Sequence, residues 1–259
     1  MKRNTNKIEI SDGLLIPDRN ENGLFSAWRI SFFGALLILL GLIVFSPEPY
    51  FEIIKFIPDG LFNTFLVTIS SIFFAMIIGL FTGLGRISRN PLINGIANIY
   101  VEVIRGIPLL VQLFYIYYAL GKFIQVPSII AAIIAMAVCY GAYIGEIFRA
   151  GIASISKGQM EAALSLGLSR PQAIRKIIIP QTLKVVLPPL GNEFIALLKD
   201  SSLVSILAVA DILRRGREFA SNSFQYFETY TLIALIYLVL TLFLSRMVGI
   251  MEERMKNAR

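Results

Sequence analysis

Two adjacent ions, Lys199 and Asp200, stand in the middle of an apolar stretch and are followed by the hydroxyls of Ser201 and Ser202. Asn192 and Glu193 precede them in the same stretch. At the centre of a membrane helix each ion costs about 2.5–3.5 kcal/mol, against about 0.3–0.6 kcal/mol returned by each large apolar residue. Roughly ten apolar residues just offset the two ions and leave little for Glu193 and Asn192. Such a helix must be sheltered by its neighbours or line a wet cavity. Adjacent residues do not face each other on a helix, so a mutual Lys199–Asp200 salt bridge is awkward. A pair that merely glues a bundle is the plain reading, and a place on a pathway is the default reading for intramembrane charge. Glu146 is three residues from Arg149, which suits an ion pair as well as a substrate or gate role. Glu102 and Arg105 have the same spacing, and an interfacial ion pair is their simplest reading. Gln112, one turn after Pro108, faces a neighbouring helix or the pathway. Catalysis finds no support. There is no histidine, no metal-ligating cluster and no nucleophile with a base, and the single cysteine, Cys139, sits in an apolar run where packing is its role.

The elements that must position these groups are membrane spans. Of 259 residues 56% are hydrophobic and 16% charged, with a mean hydropathy of +0.72, which leaves too little polar surface for a soluble domain of this length. The net charge of +7 reflects Lys and Arg gathered in cytosolic loops rather than affinity for nucleic acid. Residues 1–27 read as a cytosolic tail of mixed charge, and no cleavable signal peptide is visible. Apolar segments suggest spans at about 28–45, 61–84, 107–120, 128–148, 190–210 and 230–251, with 254–259 a short cytosolic tail. The acidic connection 46–60 suits the outer face. Arg86 and Arg89, and the basic run from Arg149 to Val186, suit the cytosol. Arg214, Arg215 and Arg217 fall on the outer side, against that rule, where an interfacial helix or a vestibule would hold them.

Between the fourth and fifth spans lies a basic, helix-forming loop, EAALSLGLSRPQAIRKIIIPQ (Glu161–Gln181). Glu161, Ala162 and Ala163 favour helix, Gly167 permits a bend, and Ser169 caps a second helix with Pro171 in its first turn. Pro180 is expected to break the chain into the next span. A helical hairpin of this kind fits a groove on a protein partner. The turn also has the look of a DNA-binding helix-turn-helix, but the flanking chain offers no soluble domain to hold one. In its EAA, Gly and Ile-x-x-Pro spacing the loop resembles the coupling loop of ABC importer permeases, with Ile179 where the family has Leu. YVEVIRGIPLLVQLF (Tyr100–Phe114), GAYIGEIFRAGI (Gly141–Ile152), LPPLGN (Leu187–Asn192) and LLKDSSL (Leu197–Leu203) resemble one branch of it, the polar amino acid importers of the histidine, glutamine and arginine type.

The resemblance covers about residues 61–253. It implies an all-α polytopic bundle in the bacterial inner membrane, with a five-helix permease core plus one extra N-terminal span at 28–45. The charge pattern itself suggests six spans with both termini in the cytosol, which agrees with this orientation. It further implies a permease subunit, not an enzyme, that forms a pathway with a second permease subunit, identical or related. An ATPase pair engages the loop at about 150–186, and an extracytoplasmic solute-binding protein delivers an amino acid. The chain lacks a phosphate-binding GxxxxGK[ST] loop, so ATP and Mg are used by the ATPase partner and no cofactor is bound here. Coupling falls to Glu161, Ala162, Ala163, Gly167, Ser169 and Pro180. For the solute, Asp200 is the candidate for the ammonium. The hydroxyls of Ser201 and Ser202, or backbone groups freed near Pro188 and Pro189, are candidates for the carboxylate. Lys199, Glu146 and Gln112 belong to the candidate pathway, and Glu102, Arg105, Arg149, Pro188 and Pro189 to its structure or gate. A secondary transporter or channel driven by an ion gradient is the alternative, but it leaves the hairpin without a purpose.

Overall fold

The computed structural model describes residues 10–11, 14–15 and 26–257. Within the expected tail, β1 (Ile10–Ser11) pairs antiparallel with β2 (Leu14–Leu15). The rest of that expectation, up to residue 25, lies outside the described residues. At the other end the last helix continues through Asn257, so the tail expected from 254 is helical as far as it is described.

The first helix, α1 (Ala27–Phe45), begins where Ser26 accepts a hydrogen bond from the Arg29 amide at 3.3 Å. A short α2 (Pro47–Phe56) occupies the acidic connection 46–60. Its Tyr50 and Ile53 are buried while Glu48 and Glu52 are exposed, a ten-residue amphipathic pattern too short to register as a span. Next come α3 (Pro58–Arg86) and α4 (Pro91–Gly106), whose first turn is capped by Asn90. Then α5 (Leu109–Phe114) continues through a π-turn and a 3-10 turn to Lys122. The axis bends by 101° between α4 and α5. This agrees with physical expectation, because Pro108 lacks an N–H and forces Ile107 out of the helical region, where it is extended at φ −108°, ψ 128°. The third apolar segment is therefore preceded by a separate helix, α4, at a sharp angle to it.

After α6 (Ser128–Ala153) come the hairpin helices α7 (Lys157–Ser165) and α8 (Arg170–Ala173). A π-turn at 174–178 joins α8 to α9 (Ile179–Asp200), which runs on into a 3-10 segment at 201–207. The expected break at Pro180 is absent. Proline is tolerated in the first turn of a helix, and the i→i+5 register of the π-turn before it takes up the mismatch. The chain ends in α10 (Ile212–Ser223) and α11 (Tyr226–Asn257). Among the described residues four helices, α1, α3, α6 and α11, are long and apolar enough to cross a membrane, and the bent pair α4–α5 meets the same measure only when its two halves are taken together. α9, at 22 residues, is long enough but is interrupted by polar residues and two internal prolines.

Bilayer lipid gives helices no hydrophobic reason to associate, so close backbone contact has to hold them. α3 and α6 run parallel and meet through glycines four residues apart on each, Gly79 and Gly83 against Gly141 and Gly145. A methyl added at Gly79 would lie 2.4 Å from the Ile144 side chain, and one at Gly83 2.6 Å from Phe148. α9 runs antiparallel to α6, with Gly151 against Val186, and α11 antiparallel to α9, with Gly191 against Val248. The core between them contains Val67, Leu113, Met136, Ile144, Leu197 and Leu207. A second cluster at the other end joins α2, α10 and α11 through Ile53, Ile212 and Leu232. The start of α1 leans on α11, where the Trp28 indole donates to the Leu242 carbonyl at 2.8 Å and Arg246 lies over its ring.

A cavity at the broken span and a hairpin at one end

The break between α4 and α5 opens a cavity of about 370 Å³ walled by α6 and α9. Residues 105–109 supply one wall, Cys139, Tyr140 and Tyr143 a second, and Glu193, Ala196 and Asp200 the third. A volume of this size suits a small molecule, since such pockets run from about 300 to 1,000 Å³. Asp200 is fixed by a hydrogen bond that the buried Tyr140 hydroxyl donates at 2.8 Å. Arg105 is held over the Tyr143 ring, 5.1 Å from its centroid. The cavity thus combines one guanidinium with two carboxylates, Glu193 and Asp200, one helical face apart at i and i+7.

Residues named from sequence divide between this cavity and its surroundings. Asp200 and Arg105 line it. Among the described residues no ion pair joins Arg105 to Glu102. Gln112 is a brace: its amide donates to the carbonyls of Ile104 and Ile107, both at 2.8 Å, and so ties the end of α4 to the start of α5. Ser201 and Ser202 are turned away from the cavity and donate to the Leu198 and Lys199 carbonyls at 2.7 and 2.8 Å. Lys199 is exposed on the outside of α9. Pro188 and Pro189 lie deeper, on a second cavity of about 580 Å³ that shares Glu193 with the first. Sequence reading passed over Glu193, Tyr140 and Tyr143 as parts of one site, although Glu193 and Asp200 are seven residues apart and both interrupt an apolar stretch.

Glu146 anchors a separate network. Arg86 from α3 and Arg149 from α6 both pair with its carboxylate, the latter through Nε at 3.0 Å. The Arg86 Nε donates to Asn98 on α4 at 2.7 Å, and Asn98 donates in turn to Asn94. One carboxylate therefore joins the end of α3, the start of α4 and the last turns of α6, beside the helix that leads into the α7–α8 hairpin.

In that hairpin Ala163 and Ala173 are buried between its arms, while Glu161, Ala162, Arg170 and Pro171 are exposed and Leu166 is 81% exposed at the tip. Gly167 has φ +81° with open space around its Cβ position, so glycine is needed there for backbone reasons alone. The turn is closed by the Leu168 amide donating to the Ala163 carbonyl at 3.1 Å. The Ser169 amide donates to Gln172 at 2.9 Å, part of a capping box.

At the opposite end the three arginines lie on α10. Arg215 pairs with Asp59 and with Glu218, and Arg214 with Glu218 at 2.9 Å, while Arg217 is exposed. Local carboxylates are the partners of two of these three charges.

Residues 54–257 match the family model described as binding-protein-dependent transport system inner membrane component. The chain belongs to that family. This permease is 38% identical over 201 residues to the glutamine transport system permease protein of Escherichia coli (strain K12), covering 76% of this chain and 92% of that one. It is 39% identical over 198 residues to a protein named as a probable amino-acid permease in Bacillus subtilis (strain 168), covering 75% and 88%. A crystal structure of an amino acid ABC transporter with histidines superposes on it with a TM-score of 0.73 at 40% identity, covering 83% of this permease and 98% of that chain. The inward-facing methionine ABC transporter shares the fold, with a TM-score of 0.66 at 19% identity. Members of the family are permease subunits of ABC importers, whose ATP hydrolysis belongs to a partner. The fold is the all-α membrane bundle expected from sequence, and α1 lies outside the family match.

Proposed function

We propose that this permease forms the translocation pathway of an ATP-driven amino acid importer, and that the cavity at the α4–α5 break holds the amino acid in transit. The observation that carries the reading is the pairing of Arg105 with Glu193 and Asp200 around 370 Å³. An α-carboxylate and an α-ammonium must each find an opposite charge in a place of low dielectric, and leaving either unpaired is costly. Asp200, oriented by Tyr140, receives the ammonium. Arg105 takes the carboxylate with its planar fork, a role that the inward-bonded Ser201 and Ser202 hydroxyls are poorly placed to fill. Relatives named as amino-acid and glutamine permeases support the solute class.

The Glu161–Gln181 hairpin couples this site to a cytosolic ATPase pair, with Leu166 and the exposed EAA helix as the docking surface. ATP and Mg act on that pair, while this chain binds no cofactor. The exposed Lys199 faces a second permease subunit or the wet seam between the two, because lipid would not tolerate it at that depth. Six spans place both termini and the hairpin in the cytosol, and leave α2 and α10 outside to receive a solute-binding protein.

The test is copurification of a tagged chain with its neighbours, followed by an uptake screen of the twenty protein amino acids and cystine. An ATPase should come down with wild type and be lost or uncoupled in Glu161→Lys and Gly167→Asp. If no ATPase associates and both variants still transport on an ion gradient, the hairpin does not couple and a secondary transporter is the better description.

A further inference from the structure

Glu102 on α4 and Lys199 on α9 are both exposed, and among the described residues neither side chain has an ion pair or a hydrogen bond. α6 serves as a ruler for their depth. The Tyr100 hydroxyl, two residues before Glu102, donates to the Val138 carbonyl at 2.6 Å. Arg105, three residues after Glu102, lies over the Tyr143 ring. Asp200, next to Lys199, accepts from Tyr140 at 2.8 Å. All three contacts fall within residues 138–143, about 7.5 Å of helix rise, at the middle of a 26-residue helix. Glu102 and Lys199 therefore share one layer near the centre of the membrane, where a charge facing lipid is costly. The other ions of that layer, Arg105, Glu193 and Asp200, line the cavity together.

We propose that this face is the interface between two copies of the chain, and that Lys199 of each copy pairs with Glu102 of the partner subunit. The proposal rests on the reading of the chain as one of two permease subunits around a pathway, and it names the second subunit as an identical one. One exposed charge of each sign in a single layer makes a self-complementary surface. A half-turn about the membrane normal keeps every residue at its depth, so it sets Lys199 of one copy level with Glu102 of the other, and it does so twice. Ile99 and Val103, exposed beside Glu102, supply apolar contact around the pair. Because Glu102 is one turn from Arg105 and Lys199 adjoins Asp200, the two pairs flank the cavities and hold the seam without leaving a free charge in lipid.

The experiment co-expresses two copies of the full chain, carrying different affinity tags, with the ATPase, and measures the doubly tagged dimer after sequential purification. Wild type should yield it. Lys199→Glu in both copies, or Glu102→Lys in both copies, sets like charges opposite each other and should lower that yield about tenfold. Lys199→Glu in one copy with Glu102→Lys in the other makes both pairs opposite again, and should restore the yield to within about threefold of wild type. A pair formed within one chain would stay mismatched in that mixture. As a check that does not depend on reversed charges inserting normally, Lys199→Cys in one copy and Glu102→Cys in the other should be joined by a short bismaleimide. Wild type, whose Cys139 is buried, should not be. No doubly tagged wild type, or a mixture that is neither rescued nor cross-linked, would overturn the pairing. ATPase recovered with a wild type that carries one tag only would leave the importer reading intact with a different second subunit. A rescued, doubly tagged dimer without ATPase would uphold the interface and sink the importer reading instead.

Discussion

If Arg105 receives the α-carboxylate, its replacement by glutamine has a calculable effect. The guanidinium lines the cavity at the kink and is held over Tyr143, 5.1 Å from the ring centroid. A hydrogen bond to a charged partner contributes about 1.5–3 kcal/mol. At 1.36 kcal/mol per decade, Arg105→Gln should raise the apparent KM for uptake by roughly 10- to 150-fold. Arg105→Lys, which keeps the charge and loses the fork, should fall between the two. The assay is uptake into proteoliposomes containing the permease and its ATPase, run with the transported amino acid and with the amine that lacks its carboxyl group. Wild type should prefer the amino acid, and Arg105→Gln should lose most of that preference. A KM within about threefold of wild type, with the preference intact, would show that the carboxylate is held elsewhere.

Two further outcomes follow from other ionisable groups. Glu146→Gln leaves Arg86 and Arg149 without their shared counter-charge, and Arg86, only 16% exposed, has little water to replace it. The variant should lose about 1–3 kcal/mol of stability and most of its solute-stimulated ATPase activity while still binding solute, and the exchange Arg86→Glu with Glu146→Arg should restore part of both. Unchanged melting and coupling would refute that role. Asp211 is fully buried at the start of α10, where it accepts from the amides of Leu213 and Arg214 at 3.2 and 2.9 Å. Arg214, the nearest cation on its helix, is turned to Glu218. Burial pushes the Asp211 carboxyl from an ordinary 3.8 up to about 6, and the two amides only partly oppose this. A raised carboxyl stabilises the fold fully below about pH 4, and that contribution is lost as pH rises through about 6, by an amount on the order of 3 kcal/mol. Asp211→Asn retains the helix cap without the charge. Its melting temperature should therefore stay level between pH 5 and 8, where that of wild type falls, and parallel curves for the two proteins would exclude Asp211 as the cause.

The sequence by itself determined the class of the molecule. Hydropathy over 20-residue windows is a local property, so α1, α3, α6 and α11 were legible, as were the hairpin turn at Gly167 and the cap at Ser169. Local rules were less able to place the ends of interrupted helices. Pro180 read as a break because proline usually is one, and only the π-turn before it shows how the chain continues. α2 and the full length of the broken span were missed for the related reason that short amphipathic helices carry a weak signal.

What the tertiary structure alone decided is which polar groups meet. Asp200 was conspicuous in the sequence, but its partner Tyr140 lies 60 residues away on an antiparallel helix. Glu146 has one counter-ion within a turn, which spacing suggested, and a second 60 residues off, which no spacing could. Arg105 and Glu102 satisfied the helical rule for an ion pair, yet Arg105 lies over the Tyr143 ring of α6 and lines the cavity instead. Charges in a membrane are expensive enough to be noticed one at a time in a sequence. Their pairing depends on which helix faces are brought together, and that is settled by glycine contacts and proline breaks far from the charges themselves.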